Sequence, residues 1–215
     1  FMNSENKHIT DRIVWFFKDN NKDIFETIYK RNLWESKESV SGKGSEKVAV
    51  QSIIRELPLI FEKYGIKSLI DAPCGDYQWM STLKYKFENY IGVDIVGDLT
   101  LKNREKYAAS AINFECADIT DYKFPDCDAV LCRDCFIHLP FSGIFCALEN
   151  FKNSNAKYFL TTTFKNVPKN LDIYAGGYRK LDFTKPPFNF PAPVCEIFED
   201  KSSQKFLAMW RFEDL

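Results

Sequence analysis

The chain has 215 residues, 45% of them hydrophobic and 16% aromatic, enough apolar side chain for one full core and too much for a disordered polymer. A net charge of −1 and a pI of about 6.2 exclude the broad basic excess that neutralises nucleic-acid phosphates. No apolar run approaches the ~20 residues of a membrane span, no secretory signal is read at the start, and seven cysteines, partly in apolar runs, fit buried free thiols in a reducing cytoplasm.

Residues 5–32 carry apolar side chains at helical spacing and predict two helices: Ile9, Ile13, Phe16 and Phe17 on one stripe, Ile24, Phe25, Ile28 and Tyr29 on the next. Residues 33–45 form a Ser/Gly-rich loop in which Trp34 is too large and apolar for a plain linker. A helix is expected from Ser45 or Glu46 to Tyr64, kinked at Pro58 and closed by Gly65. Strands are expected at about 67–72, 89–95, 111–117, 127–133 and 156–163. Their alternation with helices predicts a doubly wound parallel sheet. The turn after the first strand is expected to open a helix with Trp79 and Met80 toward the core. Pro186, Pro187, Pro191 and Pro193 exclude a helix or central strand from 183–193. Val194–Glu199 and Phe206–Phe212, joined by a polar turn, predict a hairpin. One domain over 1–215 is expected, with 1–45 as helical extension and covering loop and 46–215 as core.

The most informative residues are three acids at the ends of successive strands: Asp71, Asp94 and Asp118. In open α/β sheets ligands lie beyond the carboxyl ends of the strands, so acids in register there point to a nucleoside-bearing cofactor. Asp94 suits the two ribose hydroxyls, with a helix cap as its alternative role. Asp118 suits an exocyclic amine, with Ile119 on the ring face; a turn cap is the alternative. Gly75 sits where backbone approaches the ligand without a Cβ.

Asp71-Ala72-Pro73-Cys74-Gly75-Asp76-Tyr77 resembles the Asp-x-Gly-Cys-Gly-x-Gly motif of class I S-adenosylmethionine-dependent methyltransferases, with Pro73 and Tyr77 replacing two glycines. The chain is most similar to a group of small bacterial members that share Asp-x-Pro-Cys-Gly-Asp, Cys-Arg-Asp-Cys (132–135), Thr-Thr-Thr-Phe (161–164) and Pro-Pro-Phe-Asn (186–189). The resemblance implies a Rossmann-like, mostly parallel seven-stranded sheet with a C-terminal antiparallel hairpin. It implies S-adenosylmethionine as cofactor and S-adenosylhomocysteine as product. Asp71, Pro73 and Gly75 would line the methionine moiety, Asp94 and Ile95 the ribose, Asp118 and Ile119 the adenine. The loop bearing Trp34, Ser41, Gly44 and Ser45 would close over the cofactor.

In that family the end of strand four lies beside the transferred methyl, so Arg133, Asp134 and His138 are the polar groups for the acceptor. Methyl transfer to oxygen needs alignment and removal of a proton. His138 has the unperturbed pKa for that, with Asp134 as the other candidate base. Thr163, Asn166, Tyr174, Tyr178 and Arg179 are candidate acceptor contacts, Arg179 suiting a phosphate. Ordinary packing is their alternative. Cys132-x-x-Cys135-x-x-His138 lacks a second ligand pair, so no metal is assigned. The group includes members associated with surface, including capsular, polysaccharide. The implied reaction is O-methylation of a sugar hydroxyl, with a nucleotide-linked sugar as one form of the acceptor. The alternatives are a non-sugar metabolite, a protein side chain, or a non-catalytic cofactor-binding module. No nucleic-acid partner is expected, and the sequence leaves the oligomeric state open.

Overall fold

A computed structural model describes residues 20–215. The expected helix bearing Ile9, Ile13, Phe16 and Phe17 lies outside the described residues. The second expected helix is present as α1, Asn21–Arg31. Asn20 caps it by accepting the Asp23 N–H, and Asn32 closes it in the left-handed conformation.

One seven-stranded sheet organises the rest, in the order β3-β2-β1-β4-β5-β7-β6. Its strands are β1 Ser68–Asp71, β2 Asn89–Asp94, β3 Ile112–Cys116, β4 Ala129–Cys132, β5 Tyr158–Phe164, β6 Cys195–Asp200 and β7 Lys205–Arg211. β1 to β5 pair in parallel. β7 runs antiparallel between β5 and β6, so the terminal hairpin forms one end of the sheet. This is the mostly parallel seven-stranded sheet with a C-terminal antiparallel hairpin that the sequence resemblance implies. The predicted strands all occur, with ends shifted by one or two residues.

Alternation along the strands divides the apolar side chains between two faces. Leu69, Ala129, Leu131, Leu160 and Met209 pack on one face with Ile53, Leu57 and Phe61 of α2, Gln51–Tyr64. Ile70, Val130, Phe159 and Trp210 pack on the other with Ile144, Ala147 and Phe151 of α4, Phe141–Lys152. Gly65 (φ 62) closes α2, with the Ile66 N–H reaching back to the Phe61 carbonyl. The remaining helix, α3, spans Gly97–Tyr107 and packs on β2 and β3.

Two local expectations are corrected. α2 begins at Gln51, not at residue 45 or 46, because Lys43–Ser45 is a short 3-10 turn and Glu46 is extended. The Glu46 carboxylate instead accepts the Ser36 hydroxyl at 2.9 Å. After β1 there is no α-helix, only a 3-10 turn at Met80–Thr82. Tyr77, Trp79 and Met80 are all buried, and three apolar side chains in four positions exceed what one helical face presents. Tyr77, in place of a motif glycine, keeps a positive φ of 56°. That backbone costs about 1–2 kcal/mol for a non-glycine residue. Edge-on packing against Tyr107 and Phe114 offsets it.

Candidate active site

A cleft of about 990 Å³, including its open mouth, lies beyond the carboxyl ends of β1, β2 and β4. The strand order reverses between β1 and β4, so this is the topological switch point, where open α/β sheets bind ligands. Asp71, Pro73, Gly75, Asp94, Ile95, Asp118, Ile119, Arg133, Asp134 and His138 all line it, as do Trp34, Ser41 and Ser45. Sheet topology thus brings together residues 34 to 138. Gly44 stands just behind, its carbonyl accepting from Arg133 Nη2 at 2.8 Å.

Each acid has its own surroundings. Asp71 is buried at the end of β1 and accepts the Tyr90 hydroxyl at 2.6 Å. Burial, with the nearby Asp94 charge, raises its pKa to about 7 against the opposing Tyr90 bond and the Arg133 charge. Asp94 accepts the Gly75 N–H and the Val96 N–H, each at 3.0 Å. Burial raises it to about 6, and the backbone donors work against that rise. Asp94 thus braces the turn before α3 rather than capping the helix, whose N-cap Val96 has no side-chain bond, and it lines the cleft. Asp118 likewise caps its turn, accepting the Thr120 N–H at 2.9 Å and hydroxyl at 2.8 Å on Oδ1. Oδ2 accepts from Asn21 Nδ2 at 2.9 Å.

The loop before α2 is docked rather than loose. Ser39 donates to Asp76 Oδ2 at 2.7 Å, and the Asp76 N–H donates to Ser41 Oγ at 2.9 Å. A Cβ on Gly75 (φ 55) would come within 2.2 Å of Ser41 Oγ, so the loop presses on the position that the motif keeps as glycine. From below, Asn103 of α3 donates to the Gly75 carbonyl at 2.8 Å.

After β4 lies a buried ion cluster. Arg133 Nη2 is 2.6 Å from Glu199 Oε2, and Nη1 is 3.3 Å from Asp134 Oδ2. Lys205 Nζ reaches the same Asp134 oxygen at 2.6 Å and Glu199 Oε2 at 3.0 Å. Burial alone would raise Asp134, but Arg133 and Lys205 outweigh it and hold the carboxyl well below its ordinary range. Asp134 is therefore held as a carboxylate between two cations, which weakens it as a proton acceptor. Arg133 Nε and Glu199 Oε1 are buried without a partner.

His138 ends a 3-10 turn, Phe136–His138, at the cleft wall. Its Nδ1 is 2.7 Å from the Gly177 carbonyl. A carbonyl only accepts, so Nδ1 carries the proton of that bond, and in the neutral ring Nε2 is the nitrogen with the lone pair. Burial lowers the imidazole pKa; the Gly177 bond and Asp134 oppose this, and Arg179 and Lys205 add to it. The rings of Trp34 and Tyr178 flank His138, with centroids at 5.4 Å and 5.9 Å.

The acceptor contacts expected from sequence fare unevenly. Tyr178 is at the histidine and 60% exposed, and Tyr174 is exposed nearby in the chain. Thr163 is not at the cleft: its hydroxyl is buried, donating to the Leu181 carbonyl and accepting the Phe183 N–H. Asn166 turns with φ 64 into a separate depression with Lys169 and Ser203. Arg179 does not face a phosphate, because its guanidinium is spent on three backbone carbonyls, those of Phe136, Leu139 and Leu171. Trp79 packs in the core as expected. It lines the cleft and carries Arg133 over its ring at 5.6 Å.

Lys205, Glu199, Asn103 and Asn21 went unread in the sequence. The first two come from the hairpin, and nothing in their local pattern says which strand end they meet. Asn103 left a signal: a polar residue four positions after Leu99, on the buried face of its helix. The cysteines are all free, but Cys116 and Cys146 are exposed rather than buried. Among the described residues no group of three or more His, Cys, Asp or Glu is arranged to hold a metal ion, and no helix is long and apolar enough to cross a membrane.

Comparison with solved structures agrees with this architecture. The chain is similar to magnesium protoporphyrin IX methyltransferase (ChlM) from Synechocystis PCC 6803, with a TM-score of 0.66 at 11% identity, over 91% of this chain and 98% of that one. It is similar to the N-methyltransferase NodS from Bradyrhizobium japonicum WM9, with a TM-score of 0.63 at 11% identity, over 89% and 98%. A third similar structure is 1,6-didemethyltoxoflavin-N1-methyltransferase from Burkholderia thailandensis, with a TM-score of 0.62 at 12% identity, over 98% and 91%. At these identities the likeness is one of fold. No curated protein matches the chain. Residues 69–155 match the family model described as "Methyltransferase domain". The matched stretch runs from β1 to just past the end of α4 and carries the strand ends that line the cleft.

Proposed function

We propose that this chain is an S-adenosylmethionine-dependent O-methyltransferase, that it acts on a hydroxyl of a small polar acceptor, a sugar or nucleotide-linked sugar, and that His138 is its general base. The observation that carries the reading is the His138 imidazole at the cleft wall, with Nδ1 held 2.7 Å from the Gly177 carbonyl.

The cleft fits the cofactor. Asp94 would hold the ribose and Asp118 with Ile119 the adenine, while Gly75 leaves room that a Cβ would fill. Arg133, whose buried Nε has no partner, offers a donor for the methionine carboxylate. Bound there, S-adenosylmethionine supplies a methyl group on a sulfonium centre. The chain's own part is to align the acceptor and take its proton. Alignment lowers the barrier by up to roughly 7–11 kcal/mol, and a general base contributes ~10²–10⁴-fold. The Trp34 and Tyr178 rings offer apolar faces for a sugar ring beside His138.

The acceptor class rests on the sequence resemblance and on these rings. The similar structures are named for acceptors as different as a porphyrin and a toxoflavin precursor, so a non-sugar metabolite is the second reading. The reading places the enzyme in the cytoplasm. It is tested first by calorimetric titration with S-adenosylmethionine and S-adenosylhomocysteine, with NAD as control. Transfer of labelled methyl to a panel of sugars, nucleotide sugars and small amines follows. Transfer to amines alone would overturn the O-methyltransferase reading.

A further inference from the structure

Segment 172–180 has no regular secondary structure, yet it is bound tightly to the turn that carries His138. The Gly176 N–H donates to the His138 carbonyl at 2.8 Å, and the Arg179 N–H donates to the Ile137 carbonyl at 3.1 Å. The Arg179 side chain completes the join. Nη1 donates to the Phe136 carbonyl, Nη2 to the Leu139 carbonyl at 2.6 Å, and Nε to the Leu171 carbonyl at 3.2 Å. The guanidinium lies 5.6 Å over the Phe141 ring and the residue is buried. One planar group thus ties both ends of the catalytic turn to the start of the strap, and the Gly177 carbonyl on that strap fixes the His138 ring.

We infer that Arg179 is a positioning residue for methyl transfer: by clamping the strap to the 136–139 turn it holds the Gly177 carbonyl on His138 Nδ1 and so keeps Nε2 as the proton-accepting nitrogen. The role depends on the fork geometry of arginine, since a lysine ammonium cannot reach three carbonyls in one plane. It rests on the reading of His138 as base. The charged groups facing the imidazole are Asp134, which favours its protonated form, and Arg179 and Lys205, which oppose it; the Tyr178 ring lies beside it.

The test is nitrogen NMR of the imidazoles in the full chain. Its only two histidines are His8 and His138, and His138→Gln identifies the signals. In the wild type, His138 should show a protonated-type Nδ1 and a lone-pair-type Nε2 above its titration. Arg179→Lys should move both nitrogens toward the average of the two tautomers while S-adenosylhomocysteine affinity stays within about twofold, since the variant leaves the cofactor's contacts alone. It should lower kcat by about tenfold or more, part of what a general base supplies, with the KM for cofactor unchanged. Gly177→Ala should disturb the same signals with Arg179 intact, because its Cβ would come within 3.1 Å of the Tyr174 carbonyl. A wild-type His138 protonated on Nε2 overturns the inference without any variant. So does a folded Arg179→Lys protein with unchanged nitrogen shifts. Full turnover by His138→Gln with the expected tautomer in the wild type would instead sink the base reading and leave the clamp standing.

Discussion

Asp94 shows how one side chain serves architecture and chemistry together. Its two oxygens hold the N–H groups of Gly75 and Val96 and so join the first motif to the start of α3, while the carboxylate lines the cleft. Asp94→Ala should weaken S-adenosylmethionine binding by roughly tenfold or more, because charge-assisted hydrogen bonds contribute about 1.5–3 kcal/mol each. Calorimetry checks this, and unchanged affinity would remove Asp94 from the ribose. His138→Gln should depress turnover by ~10²-fold or more and leave cofactor affinity nearly intact; full activity in that variant would exclude it as base. The sequence made these residues legible because each stands at the end of an apolar run, where sheet geometry dictates what it faces. It misdirected at Thr163, Asn166 and Arg179 for a related reason. Position at the end of β5 suggested the cleft for Thr163 and Asn166, but residues 181–183 pack over that strand end, and the Phe164 N–H donates to the Leu181 carbonyl at 2.8 Å.

At the scale of elements, the loop between α1 and α2 is a cover held by few bonds. Ser39 and Ser41 each make one hydrogen bond to Asp76, and Trp34 packs against Gly42. Replacing both serines with Ala should cost about 1 kcal/mol per bond in local stability. Hydrogen exchange over residues 36–46 should quicken, and cofactor dissociation with it. Exchange rates equal to the wild type would mean that other contacts hold the cover. Gly44 is constrained from the other side, since a Cβ there would lie 2.4 Å from Asp134 Oδ2. Gly44→Ala should therefore disturb the ion cluster and lower stability by about 1–3 kcal/mol, as overpacking does, seen as a reduced urea midpoint. The strands and hairpin were legible from apolar runs and proline punctuation. The missing helix after β1 was not, because burial of Tyr77, Trp79 and Met80 is a tertiary choice that helical periodicity does not encode.

For the whole molecule, opposite pKa shifts within one cleft set the response to pH. Asp71 and Asp94 are raised by burial to about 7 and about 6. Between the ordinary carboxylate value and those values the folded chain binds more protons than the unfolded one. Their contribution therefore favours the fold at low pH and is lost as pH rises through about 6 to 7. Asp134, held low by Arg133 and Lys205 against its burial, contributes stability above the ordinary carboxylate value that is lost as pH falls through its own. A cationic cofactor favours the ionised forms of Asp71 and Asp94. Its affinity should accordingly rise from about pH 5 to about pH 8, with protons released on binding. Calorimetry in buffers of different ionisation enthalpy measures that release, and a pH-independent affinity would dissociate both acids from the cofactor. The ion cluster also has a consequence for biosynthesis. Arg133 and Asp134 belong to the matched stretch 69–155, whereas Glu199 and Lys205 sit on the terminal hairpin. As the chain is made from its N-terminal end, the matched stretch leaves the ribosome before either counter-charge exists. The cleft then matures only after the hairpin has been made, and capture of cofactor by a nascent chain would report that the hairpin has docked.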